Sequence, residues 1–129
     1  RESVACHRGD GMGIGLLVRA GLPVLVLSTE RNPVVAARCA KLKIECVQGV
    51  DDKLAELQRL AARRGWRAER LAYVGNDIND LACLRWVGYP MAVCDALPAV
   101  RRVCPWVTRR PGGYGAVREV ADHLLDAPG

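Results

Sequence analysis

Five short apolar runs punctuate the chain, and helical patterns fill the spaces between them. The runs are "LPVLVLST" (22–29), "IECVQG" (44–49), "RLAYVGN" (70–76), "YPMAVC" (89–94) and "CPWVT" (104–108). The most apolar of them, 22–29, shows none of the alternation of a half-solvated strand and suits a sheet covered on both faces. The connections are short. Strand and helix in alternation, joined by short links, make an open, mostly parallel sheet with helices on both faces. The sequence therefore reads as α/β, and its 129 residues are the length of a single domain spanning 1–129.

The helical segments carry their own punctuation. Gly9, Gly11, Gly13 and Gly15 read as a loop, from which Ile14, Leu16, Leu17 and Val18 open an apolar helix ended by Gly21. Asn32 followed by Pro33 reads as an N-cap and first turn, with the helix running to about Leu42. "DDKLAELQRLAARRG" is amphipathic, with Leu54, Leu57 and Leu60 on one side. Further helices are expected at 79–87, 97–102 and 116–127, a loop at 111–115, and a short strand at 2–7.

Composition excludes several classes. Half the residues are hydrophobic, enough for a sizeable core. The net charge is +5, with three Lys and sixteen Arg against 14 acidic residues. The arginines are scattered and have no aromatic platform between them, so no nucleic-acid partner is expected; anionic small molecules fit better. The six cysteines (6, 39, 46, 83, 94, 104) show no CxxC spacing, which argues against zinc and for reduced thiols in a cytoplasmic protein. No signal segment is read, and no apolar run approaches the roughly 20 residues of a membrane span.

Ligands of open parallel sheets bind beyond the carboxyl ends of the strands. Those ends read "ST" (28–29), "QG" (48–49), "GND" (75–77), "CD" (94–95) and "TRR" (108–110). Asn76, Asp77 and Asp80 offer hard oxygen ligands of the kind Mg²⁺ takes. Helix capping by Asp77 or Asn79 is the plainer reading, and it accounts for one such residue but poorly for four. Ser28 and Thr29 put hydroxyls and backbone N–H groups where a helix is expected to begin, a ready site for phosphate, with N-capping and ordinary turn chemistry as the plainer reading. Lys53 opens a helix, a position the macrodipole disfavours for a cation. A bound anion would explain it, although Asp51 and Asp52 could also offset the charge.

In order and spacing, these segments resemble the haloacid dehalogenase (HAD) superfamily. The strand ending in Ser-Thr, the helix-opening Lys and "YVGNDIND" look like its motifs two, three and four. "RGDGMGIGLL", "QGVDDKL" and "PGGYGAVREV" resemble the small uncapped branch with 3-deoxy-D-manno-octulosonate 8-phosphate and sialic-acid 9-phosphate phosphatases. The resemblance implies a HAD-like (Rossmann-like) fold lacking its first strand in this chain, Mg²⁺ as cofactor, a phosphorylated sugar acid as substrate, and a homotetramer. It implies that Ser28 hydrogen-bonds the phosphoryl group, that Lys53 neutralises it, and that Asn76, Asp77 and Asp80 match the metal positions. Asn76 stands where the family usually has Asp, and it adds no charge. "STE", where the octulosonate branch reads "TGR", draws Thr29 and Glu30 into the substrate-binding set, with Lys43 of "KLKI" as partner to Glu30 and Gly11 from the glycine segment. Arg118 and Glu119 are expected to shape the tail rather than act in chemistry. The family attacks phosphorus with the first Asp of a DxD motif, and no DxD occurs in these residues. Two readings stay open: a Mg²⁺-dependent sugar-acid phosphatase whose nucleophile lies upstream, or a non-catalytic HAD-like assembly domain of a CMP-sialic acid synthetase.

Overall fold

A computed structural model of the chain describes residues 8–112 and 115–126, with side chains from residue 13 onward. The strand expected at 2–7 and the centre of the 111–115 loop lie outside the described residues.

All five strands are present, shorter than their apolar runs, and every pairing is parallel. In chain order, α1 is Arg8–Arg19, β1 Leu25–Leu27, α2 Pro33–Leu42, β2 Glu45–Val47 and α3 Lys53–Arg64. After them come β3 Ala72–Gly75, α4 Leu81–Trp86, β4 Tyr89–Ala92, α5 Pro98–Arg102, β5 Trp106–Val107 and α6 Ala116–Asp126. β1 pairs with β2, Leu27 opposite Val47. β4 lies between β3 and β5, with Gly75 opposite Ala92 and Ala92 opposite Val107. Among the described residues these are two separate ladders, β1–β2 and β3–β4–β5.

Packing joins what the ladders do not. Leu27 of β1 shares a cluster with Leu57 and Leu60 of α3 and with Cys83 and Val87. Leu84 packs in a second cluster with Ala92, Val93, Val100 and Ala116. Cys83 and Leu84 are neighbours on α4 that serve opposite clusters, and Tyr73 packs against both. Burial of these side chains stabilises the fold by about 1.5–3 kcal/mol each for the larger aliphatics.

The glycine segment departs from expectation. It is not a loop: residues 9–15 lie within α1, and Gly11, expected to bind substrate from a loop, sits inside that helix. The reason is packing against α6. A Cβ at Gly13 would lie 2.6 Å from the Arg118 backbone, so only glycine lets the two helices approach this closely. Contact between helices has overridden the propensity of about 1 kcal/mol against each internal glycine. α2 is capped as expected: Asn32 Oδ1 accepts from Val34 N (2.9 Å) and Val35 N (3.4 Å). The helix stops at Lys43, which takes a left-handed conformation (φ 61°).

Candidate active site at the carboxyl edge of the sheet

Ser28 directly follows β1. Its N–H donates to Val47 O (2.9 Å) and its carbonyl accepts from Val50 N (3.0 Å), which extends the β1–β2 pairing past the strands. The side chain is buried, and its Oγ accepts from Glu30 N at 3.1 Å. Thr29 and Glu30 are exposed. No helix begins at Ser28 or Thr29: α2 starts at Pro33, so the N–H groups there belong to a turn. That turn is braced. Gly49 N donates to Glu30 O (3.3 Å) and Gln48 Nε2 to Asn32 O (3.0 Å).

Lys53 is the first residue of α3, and Asp52 caps the helix by accepting from Ala55 N (3.0 Å). The anion beside Lys53 is in the protein. Its Nζ lies 3.0 Å from Asp80 Oδ1, and both side chains are almost wholly buried, at 1% and 3% exposed. Such a pair stabilises only when the remaining lone pairs are satisfied, and here they are. Tyr73 Oη donates to the same oxygen (2.6 Å), and Asn76 N (3.0 Å) and Asp77 N (3.1 Å) donate to Oδ2. Four donors thus converge on one carboxylate. Burial, and after it the negative charge of Asp80, raises the Tyr73 hydroxyl above its ordinary range. Burial also pushes the neighbouring Cys83 thiol up to about 11.

Asn76 and Asp77 follow β3 at the same edge, both half-buried. Asp77 is the N-cap of a 3₁₀ turn, Ile78–Asp80, that leads into α4, and it shares a reciprocal capping box with Asp80. Its Oδ1 accepts from Ile78 N at 2.7 Å. The turn is held from the other side by Leu97 N, which donates to Asn76 O (3.1 Å). Asn76 and Asp77 remain the hard oxygen donors of this edge; a carboxylate has about four acceptor positions, so capping and cation ligation are compatible. Among the described residues no three His, Cys, Asp or Glu side chains form a metal-sized cluster.

One expected pairing fails. Glu30 and Lys43 were to meet at the mouth, but Lys43 precedes β2 whereas Glu30 follows β1, and the strands run parallel. Lys43 therefore sits at the amino end of the sheet, a strand's length from the site. Its role there is the left-handed helix stop. The Glu119 carboxylate accepts from Arg109 N (2.9 and 2.8 Å) and Arg110 N (3.0 Å), just past β5. Arg118 pairs with Asp122 one turn along α6. Two edge residues escaped the sequence reading. Thr108, buried, ties β4 to β5 by accepting from Cys94 N (3.1 Å) and donating to Arg110 O (2.6 Å). Arg31 lies over Gly49. An open cleft of about 1040 Å³ between α1, α2 and α6 shares no residue with this cluster.

Residues 26–118 match the haloacid dehalogenase-like hydrolase family. The chain is 38% identical to the 3-deoxy-D-manno-octulosonate 8-phosphate phosphatase of Escherichia coli K12, over 99% of its own length and 69% of that protein's. A Streptomyces avermitilis structure described as a HAD family hydrolase superposes with a TM-score of 0.88 at 52% identity, covering 95% of this chain and 75% of that one. The Moraxella catarrhalis 3-deoxy-D-manno-octulosonate 8-phosphate phosphatase, solved with magnesium, phosphate and the sugar acid, superposes with a TM-score of 0.89 at 32% identity, covering 92% and 69%.

Proposed function

The chain belongs to the haloacid dehalogenase-like hydrolases, as a phosphomonoesterase of that family, and from this premise we propose that it serves a Mg²⁺-dependent phosphatase that removes the terminal phosphate of a 2-keto-3-deoxy sugar acid. The substrate is an octulosonate 8-phosphate or a nonulosonate 9-phosphate. The observation that carries the reading is the buried Lys53–Asp80 pair, set at the carboxyl edge of a parallel sheet that also carries Ser28, Asn76 and Asp77.

Each residue has a part in that reading. Lys53 offers a fixed cation to the transferring phosphoryl group, where positioned charge does most of the work. Ser28 Oγ donates a hydrogen bond to the same group. Asp80 is a positioning residue rather than a metal ligand, because its two oxygens already serve four donors. Asn76 and Asp77 hold the cation, which needs only one or two protein ligands because Mg²⁺ keeps several waters. When bound, Mg²⁺ neutralises charge on the phosphoryl oxygens. Glu30 faces the sugar from the mouth. No DxD occurs among these 129 residues, so none of the roles above is that of the attacking carboxylate.

The test is phosphate release from 3-deoxy-D-manno-octulosonate 8-phosphate and from a nonulosonate 9-phosphate, in Mg²⁺ and in EDTA. Release in Mg²⁺ that EDTA abolishes supports the reading. No release from either sugar acid, by protein that also carries the upstream segment, would leave the non-catalytic assembly role.

A further inference from the structure

Beside the phosphate-binding residues the fold holds a planar cation that the site's chemistry has not yet used. Arg31 follows the Ser28–Glu30 turn, and three of its guanidinium atoms, Nε, Cζ and Nη2, each lie 2.7 Å from where a Cβ at Gly49 would stand. Equal distance to three atoms of the plane means the guanidinium turns its face toward the side-chain position of Gly49. Gly49 is left-handed (φ +67°), a conformation that favours glycine, and a Cβ there would push the Arg31 guanidinium aside. The two loops that carry them are fastened by the Gly49 N to Glu30 O and Gln48 Nε2 to Asn32 O hydrogen bonds. The exposed Arg31 thus lies at the carboxyl ends of β1 and β2, three residues beyond Ser28.

We infer that Arg31 is the carboxylate-binding residue of the site and gives it preference for a sugar acid over an uncharged sugar phosphate. The argument rests on the sugar-acid reading above and deepens it. A guanidinium stacked through its face keeps its N–H edges in plane, and that edge matches a carboxylate in the bidentate fork that Lys cannot make. Lys53 and Ser28 take the phosphate end, and Arg31 takes the acid end. A substrate with an anion at each end meets a cation at each end, and a sugar phosphate without the acid meets only one.

The test is calorimetric titration of the protein in EDTA, which withholds the cation needed for turnover. The probes are 3-deoxy-D-manno-octulosonate 8-phosphate and glucose 6-phosphate. The parent protein is expected to bind the sugar-acid phosphate more tightly. Arg31→Gln should weaken that ligand by about tenfold or more, the scale of a lost charge-assisted bidentate contact, and leave glucose 6-phosphate within twofold. Arg31→Lys should recover only part of the loss, and Gly49→Ala, whose Cβ would push the guanidinium aside while leaving Arg31 itself unchanged, should reproduce most of it. A preference that survives Arg31→Gln overturns the assignment of Arg31 alone. Equal weakening of both ligands also overturns it, because Arg31 would then read the phosphate. Equal binding of both ligands by the parent protein overturns the sugar-acid reading itself.

Discussion

Replacing Asp80 with Asn tests the site at its centre. The substitution preserves shape and removes one charge. Four donors converge on the two Asp80 oxygens: Lys53 Nζ and Tyr73 Oη on one, Asn76 N and Asp77 N on the other. An amide has one oxygen, so whichever way it turns, two donors face an NH₂ group. Lys53 also loses its charge partner while its side chain is 1% exposed. Removing one member of a buried pair costs about 3–5 kcal/mol. The orphaned donors, at about 1–3 kcal/mol each, belong to the same event and are not added to it. Against a typical stability of about 5–15 kcal/mol, Asp80→Asn should bring the chain near the edge of folding at 25 °C. The measurement is urea unfolding of parent, Asp80→Asn, Lys53→Met and the double variant, followed by circular dichroism, comparing midpoints at matched slopes. The double variant removes both buried charges and should lose less than the sum of the singles, by about 0.5–3 kcal/mol. Additive losses, or an Asp80→Asn loss below about 1 kcal/mol, would refute the four-donor account.

Gly13→Ala should destabilise by about 1–3 kcal/mol through overpacking against α6, although helix propensity alone would make it a gain of about 1 kcal/mol; a rise in thermal midpoint would remove the close-approach argument. Asp77→Ala should cost about 1 kcal/mol in metal-free buffer through the lost cap and should also shrink the thermal shift produced by Mg²⁺; an unchanged Mg²⁺ response would take the residue out of the cation site. The Cys83 thiol titrates at about 11 in the fold against 9.0 for the free group. Above pH 9 the unfolded chain therefore sheds that proton first, so stability declines as pH rises from 9 towards 11. Cys83→Ala should flatten that decline in pH-dependent urea titrations, and an equally steep decline in the variant would contradict the assignment.

The architecture was legible because buried strands are written in continuous apolar runs, and "LPVLVLST" or "YPMAVC" can hardly be anything else in a chain of this length. The N-cap at Asn32 was legible for the same local reason. The glycine segment misled because its meaning is not local: Gly13 is small for the sake of the Arg118 backbone, more than a hundred positions away. Lys43 misled because a residue's end of the sheet follows from strand direction, and "KLKI" sits before its strand while "STE" sits after one. The charge at Lys53 is anomalous in the sequence itself, a cation at the start of a helix. That its anion is Asp80, 27 positions on, emerged only from the folded geometry. Arg31 left no signal in the sequence, since nothing distinguishes it there from fifteen other arginines.

The donors around Asp80 also differ in how far they travel along the chain. Tyr73, Asn76 and Asp77 lie within seven residues of it, whereas Lys53 is 27 away. Contacts closed over short loops cost little entropy and form early, while distant ones wait for the chain to collapse. Strand β3, its turn and the start of α4 should therefore assemble as one early unit with an acceptor already shaped for a cation, and Lys53 should dock into it late. In kinetic terms Tyr73→Phe should slow refolding, whereas Lys53→Met should chiefly hasten unfolding. Stopped-flow measurements would show the two variants on opposite arms of the chevron, and a Lys53 effect confined to the refolding arm would reverse that order.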